Sequence, residues 1–175
     1  SIDFEYCGAD GEVPKIVCMV IQDLRSGVVS RYWRDDLGKM NTPPFETGED
    51  VAIVSYFAPA EVQSMVALSW TINVSVIDLF AEFRCQTNGD PNVGRKSLVS
   101  ALQFYGLKQF VPEEKDSMRD LILSGGPWSE AQRSAILDYC QQDVIALGPL
   151  LDAMLKRAPW SELQFNQAIL GGRYM

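Results

Sequence analysis

Ile136-Leu137-Asp138-Tyr139-Cys140-Gln141-Gln142-Asp143-Val144-Ile145-Ala146-Leu147 is the stretch on which the fold turns. Its apolar residues Ile136, Leu137, Cys140, Val144 and Leu147 recur largely at spacings of three and four, so a helix with one buried face is expected. On such a helix Tyr139 and Asp143 stand about one turn apart, roughly 6 Å along the axis. A phenol above a carboxylate suits a site where the carboxylate holds a metal ion and the phenol orients a water molecule. The pair alone is unspecific, because Tyr and Asp fall at this spacing on many ordinary helices.

The other end of the chain supplies a second acidic pair. Ile2-Asp3-Phe4-Glu5-Tyr6 alternates apolar with acidic. In a strand, Asp3 and Glu5 then point to one face with side chains about 6.6 Å apart. Two carboxylates on one face of a central strand repel each other unless cations bind them.

Composition narrows the chemistry. The chain has 175 residues, 47% of them hydrophobic, which is one domain of ordinary size with enough apolar material for a full core. No apolar run is long enough to cross a bilayer, and no basic-then-apolar leader is visible, so a soluble intracellular protein is expected. The four cysteines (Cys7, Cys18, Cys85, Cys140) are scattered without a Cys-x-x-Cys, which argues for reduced, mostly buried thiols rather than a zinc site or disulfide framework. There is no histidine. That removes serine–histidine triads, histidine-ligated zinc hydrolases and every imidazole base, and leaves carboxylates as the leading candidates. A net charge of -8 argues against broad nonspecific duplex binding, but not against an acidic cleft neutralised by divalent metals.

Between the two ends, Lys15 to Gln22 reads as a strand buried on both faces, and Ser26-Gly27 turns the chain into Val28 to Trp33. With the first strand these form a three-strand antiparallel meander. Val51 to Tyr56 is a further short strand, followed by a helix that starts around Ala58-Pro59-Ala60-Glu61. Asn73 to Leu79 is another strand. Helical periodicity returns at Leu98, Leu102 and Tyr105 with Gly106 as a stop, and again from Met118 to Leu123. Ser129 with Gln132 forms a capping-box pattern leading into the Tyr139 segment. Pro149, Pro159 and a Ser161 cap divide the remainder into two helices. The expected class is α/β, a mixed sheet flanked by helices.

These residues resemble the 3'-5' exonuclease domains of the DEDD superfamily, in the variant with a tyrosine in its third motif, as found in the proofreading domains of phage-like family A DNA polymerases. The first motif is Asp3-Phe4-Glu5 and the third is Tyr139-Cys140-Gln141-Gln142-Asp143. Val54 to Glu61 occupies the place of the second, although the family usually has an aspartate there with an asparagine shortly before it. The resemblance covers residues 1–157; residues 158–175 resemble a C-terminal helix connecting to a polymerase domain. It implies a ribonuclease H-like sheet, made of the meander plus parallel strands, and cytoplasmic hydrolysis of single-stranded DNA from its 3' end, in a bacterial or phage-infected cell, to nucleoside monophosphates. It also implies two divalent ions, Mg2+ or Mn2+, roughly 3.5 to 4 Å apart. Asp3 would bridge both, Glu5 and Asp143 would complete the water-activating site, Glu61 would hold the second ion through water, and Tyr139 would orient the attacking water. A ribonuclease D-like exoribonuclease and an inactive nucleic-acid-binding scaffold are the alternatives.

Other residues carry blander expectations. Asp78 is expected to cap the turn after its strand. Arg95, Lys96, Lys115 and Arg119 default to a solvated surface. Trp33, Trp70, Trp128 and Trp160 are expected in the core or an interface, and Phe4 and Tyr6 packed beneath the acid-bearing strand.

Overall fold

The computed structural model describes residues 1–9, 11–71, 73–108, 112–162, 164–166 and 168, of which 112–116 by backbone only. Three strands, β1 (Ile2–Cys7), β2 (Lys15–Gln22) and β3 (Val29–Trp33), form the antiparallel meander, with Asp3 opposite Val20 and Cys18 opposite both Glu5 and Trp33. The turn into β3 is built by Asp23. Its carboxylate accepts the Arg25 amide at 2.9 Å and the Ser26 hydroxyl at 2.7 Å, while Gly27 takes φ 75°, a conformation open to glycine at no steric cost.

After the short helix α1 (Arg34–Leu37), strands β4 (Ala52–Ser55) and β5 (Ser75–Asp78) pair in parallel. They are joined through α2 (Ala58–Ala67), because parallel neighbours need a crossover. Strands β1 and β4 lie against each other, yet no ladder joins them, so the strands form a three-strand and a two-strand sheet rather than the single mixed sheet expected.

The remaining helices are α3 (Leu79–Gln86), α4 (Leu98–Phe104), α5 (Pro112–Leu123) and α6 (Glu130–Arg157). Ser129 caps α6 with the full capping box, its side chain taking the Gln132 amide and Gln132 returning to the Ser129 amide. With 28 residues, α6 spans about 42 Å. Apart from Ala146, its buried residues Ile136, Cys140, Val144, Leu147, Leu150 and Met154 are three or four apart, and the set covers two cores in succession. The first half packs on Val17, Cys18, Val20 and Trp33 of the meander. The second half packs on Val54, Ile77, Phe83 and Leu102. Tyr139 to Asp143 lies on the stretch over the first core, just before the helix passes to the second at Ala146.

Pro149 does not end the helix, contrary to the sequence expectation. The proline removes one backbone donor, but Pro149 and Ile145 are both on the exposed side, where water can take the carbonyl left without its partner. Burial of Leu147, Leu150 and Met154 on the opposite face carries the helix through. The meander's other face holds a third core of Ile2, Phe4, Met19, Leu37, Ile53, Met65 and Trp70. Phe4 is therefore packed beneath β1 as expected, and so β1 turns Asp3 and Glu5 the opposite way, toward α6. Among the described residues no helix is long and apolar enough to cross a membrane.

Candidate functional site

The alternation in β1 is what delivers the two acids. Ile2 and Phe4 are buried, while Asp3 and Glu5 are half-buried on the face that meets α6. Beyond Glu5 the register with β2 shifts, with Tyr6 opposite Ile16, so β2 carries one extra residue at this point. Such bulges re-aim neighbouring side chains. Tyr6 is 39% exposed, which corrects the expectation that it packs under the strand. Its phenol is pushed up by burial, then by Glu61, Glu5 and Asp3, and lowered by Arg119, so it stands at the rim of the acid cluster with a cation near it.

From α6, Cys140 faces the same two acids. Its thiol donates to the backbone carbonyl of Asp3 and to Asp3 Oδ2, both at 3.4 Å. Ligand atoms of Asp3, Glu5 and Cys140 all lie within 4.8 Å of one another, a spacing that one cation can bridge. Cys140 was legible as a buried helix position, but nothing in its spacing marked it as a contact of the acids. Its thiol is held well above the ordinary range by burial, by Cys18 alongside and by the Asp3 and Glu5 carboxylates.

Tyr139 comes to the same place. Burial raises its phenol most, followed by Asp143, Glu5, Asp3 and Cys140, which puts all four beside it. The one-turn spacing from Tyr139 to Asp143 thus places Asp143 at the edge of the group. Asp143 is half-buried, and its ligand atoms fall outside the 4.8 Å set.

Glu61 reaches the cluster from the first turn of α2. It is 3% exposed, and its Oε2 is buried with no hydrogen-bond partner among the described residues. Burial, then Asp3 and Glu5, hold its carboxyl well above the carboxylate range, against the pull of the Phe4 amide. Its helix packs on β1, and the charges of both strand acids act on it. A buried acid with an open oxygen beside two further acids is a costly arrangement in the absence of a counter-charge.

Asp78 has a different occupation. It closes β5 and caps α3, its Oδ1 accepting the amides of Phe80 at 2.9 Å and Ala81 at 3.3 Å. Burial raises its carboxyl, while the amides of Ala81, Phe80 and Ala58 lower it. Lys96 is likewise structural, with its ammonium on Thr87 Oγ1 at 2.9 Å and above the Phe83 ring. Trp33, Trp70 and Trp128 are buried, and Trp160 packs against the core under α6. The Lys115 side chain and the stretch 169–175 lie outside the described residues.

A groove of about 320 Å³ at the start of α6, lined by Arg31, Trp33, Asp35 and Arg133 among others, holds none of the acids above. Arg31 is paired with Asp138 at 2.8 Å and Arg133 with Asp35 at 3.9 Å, so the groove reads as a salt-bridged surface. No protein-family model matches the chain, and no curated protein matches it either.

Proposed function

We propose that the chain is a metal-dependent 3'-5' exonuclease of the tyrosine-variant DEDD type, acting on single-stranded DNA ends and built on a ribonuclease H-like architecture. The observation that carries this reading is the convergence at β1 of acids from three distant segments. Asp3 and Glu5 come from the strand, Glu61 from α2 with a buried open oxygen, and Asp143 with Tyr139 from α6. The approach of β4 to β1, with β5 parallel to β4, supports reading the two sheets as parts of one array in the order β3-β2-β1-β4-β5.

The donor set fits hard dications. Carboxylates and water are the ligands that magnesium and manganese prefer, and the open oxygen of Glu61 marks where positive charge is lacking. Asp3, Glu5 and Asp143 would hold one ion, and Asp3 with Glu61 a second. When bound, the ions supply charge relief on the phosphoryl oxygens and on the leaving 3' oxygen.

The protein's own groups do the rest. Because its phenol is pushed above the ordinary value, Tyr139 keeps its proton at neutral pH. It orients a water through its hydroxyl and does not deprotonate it. The Cys140 thiol, bonded to Asp3 Oδ2, fixes that carboxylate's rotamer. Arg119, whose positive charge lowers the Tyr6 phenol, would meet a phosphate of the incoming strand. Incubation of 3'-labelled and 5'-labelled single strands of DNA and of RNA, with Mg2+ or with EDTA, tests polarity, substrate and metal dependence together.

A further inference from the structure

We propose that Cys140 makes this cluster a mixed oxygen and sulfur site that captures a thiophilic dication, of the Zn2+ and Cd2+ class, through Asp3, Glu5 and the Cys140 sulfur. The inference goes beyond the nuclease reading and does not need the site to hydrolyse anything. It starts from the three donor atoms, which already lie within 4.8 Å of one another. Around a tetrahedral zinc ion, with bonds of about 2.3 Å to sulfur and about 2.1 Å to oxygen, neighbouring donors are roughly 3.6 Å apart. Cys140 Sγ and Asp3 Oδ2 stand at 3.4 Å, so this edge of the polyhedron needs almost no adjustment.

A second observation points to a cation independently of the sulfur. Glu61 is 3% exposed, its Oε2 lacks a hydrogen-bond partner among the described residues, and it projects from the first turn of α2, which packs on the strand carrying the two ligating acids. A dication on Asp3 and Glu5 would supply the charge this oxygen lacks.

Ligand softness then decides which cation gains most. A site of carboxylates alone favours Mg2+ and Mn2+, whereas a thiolate adds selectivity for zinc and cadmium. With a hard ion bound, Cys140 keeps its proton and its bond to Asp3. With a thiophilic ion, the S–H bond is exchanged for a sulfur–metal bond, and the proton passes to solvent. Cys140 is fully buried, so competing surface thiols and solvent are kept away from that bond.

Cd2+ added to the chelator-treated protein tests this directly. The expected result is a sulfur-to-cadmium charge-transfer absorption that saturates at one equivalent, persists in Cys85→Ser, which removes the exposed thiol, and disappears in Cys140→Ser. Cd2+ affinity should fall roughly tenfold or more in Cys140→Ser and in Asp3→Asn. Absence of the band in the parent, its survival in Cys140→Ser, or indifference to Asp3→Asn would each overturn the proposal. Should Cys140→Ser fail to fold, the Asp3→Asn arm decides. Loss of DNA hydrolysis plays no part in the readout, so failure of the nuclease reading leaves this result interpretable.

Discussion

Glu61, buried in the first turn of α2, lies beside the backbone amide of Phe4, the residue that separates Asp3 from Glu5. A helix acid is thereby brought beside the strand that carries the other two, and three carboxyl groups are concentrated in one place. Asp78 lies one strand further on and spends one carboxylate oxygen on the amides that open α3, while its Oδ2 is buried without a hydrogen-bond partner among the described residues.

The two acids should respond differently to loss of charge. Glu61→Gln should slow hydrolysis roughly tenfold or more beyond Asp78→Asn, an order of magnitude in line with removing a charge next to a metal. Asp78→Asn keeps an acceptor for the cap, whereas Asp78→Ala should cost about 1 kcal/mol of stability through the lost cap. Rates and urea midpoints of the three variants check this. An equal loss of rate in Glu61→Gln and Asp78→Asn would contradict the assignment.

The same carboxylate predicts an unusual pH dependence. Burial, then Asp3 and Glu5, raise the folded-state value of Glu61 above 4.5, so the folded protein binds this proton more tightly than the unfolded chain. The stability it contributes is fully present below about pH 4.5 and is lost as pH rises through the raised value. Metal-free protein should therefore lose stability from this group as pH rises above about 4.5, and Glu61→Gln should flatten that slope. Saturating Mg2+ should flatten it too. Parallel slopes in parent and variant would show that Glu61 is not the group responsible.

Tyr139→Phe removes the hydroxyl and keeps the ring. Hydrolysis should slow by roughly ten to a thousandfold while metal binding is retained, because the phenol positions water and does not ligate. Titration of Mn2+ beside a rate measurement separates the cases. Loss of metal affinity would mean that the ring packs the site, and an unchanged rate would mean that the hydroxyl has no part in the reaction.

Much of this arrangement is visible in local patterns, and what is not visible depends on tertiary contacts. The three-and-four spacing of Ile136, Cys140, Val144 and Leu147 marks the buried face of α6, and the alternation from Ile2 to Glu5 marks the two faces of β1. Pro149 misleads because its cost depends on whether water reaches the carbonyl one turn back, which no local pattern records. Tyr6 follows the alternation on paper but stands beside the register shift that follows Glu5. Cys140 reads as one more apolar residue, since its contact with Asp3 exists only once α6 lies across β1. The separation of the strands into two sheets is likewise unreadable, because β4 lies against β1 without a ladder, an outcome of tertiary packing that no local pattern records.

The central claim is that these acids hold dications for hydrolysis from a 3' end. Time courses with 5'-labelled and 3'-labelled single-stranded DNA, in Mg2+ or EDTA, test it on the parent and on Asp3→Ala and Asp143→Ala. The account predicts a descending ladder from the 5' label and immediate mononucleotide release from the 3' label, both abolished by EDTA and by either substitution. Both variants should remain folded, the metal-free forms melting no lower than the metal-free parent because like-charge repulsion is relieved. Undiminished hydrolysis by Asp3→Ala, or no metal-dependent hydrolysis by the folded parent, would contradict it.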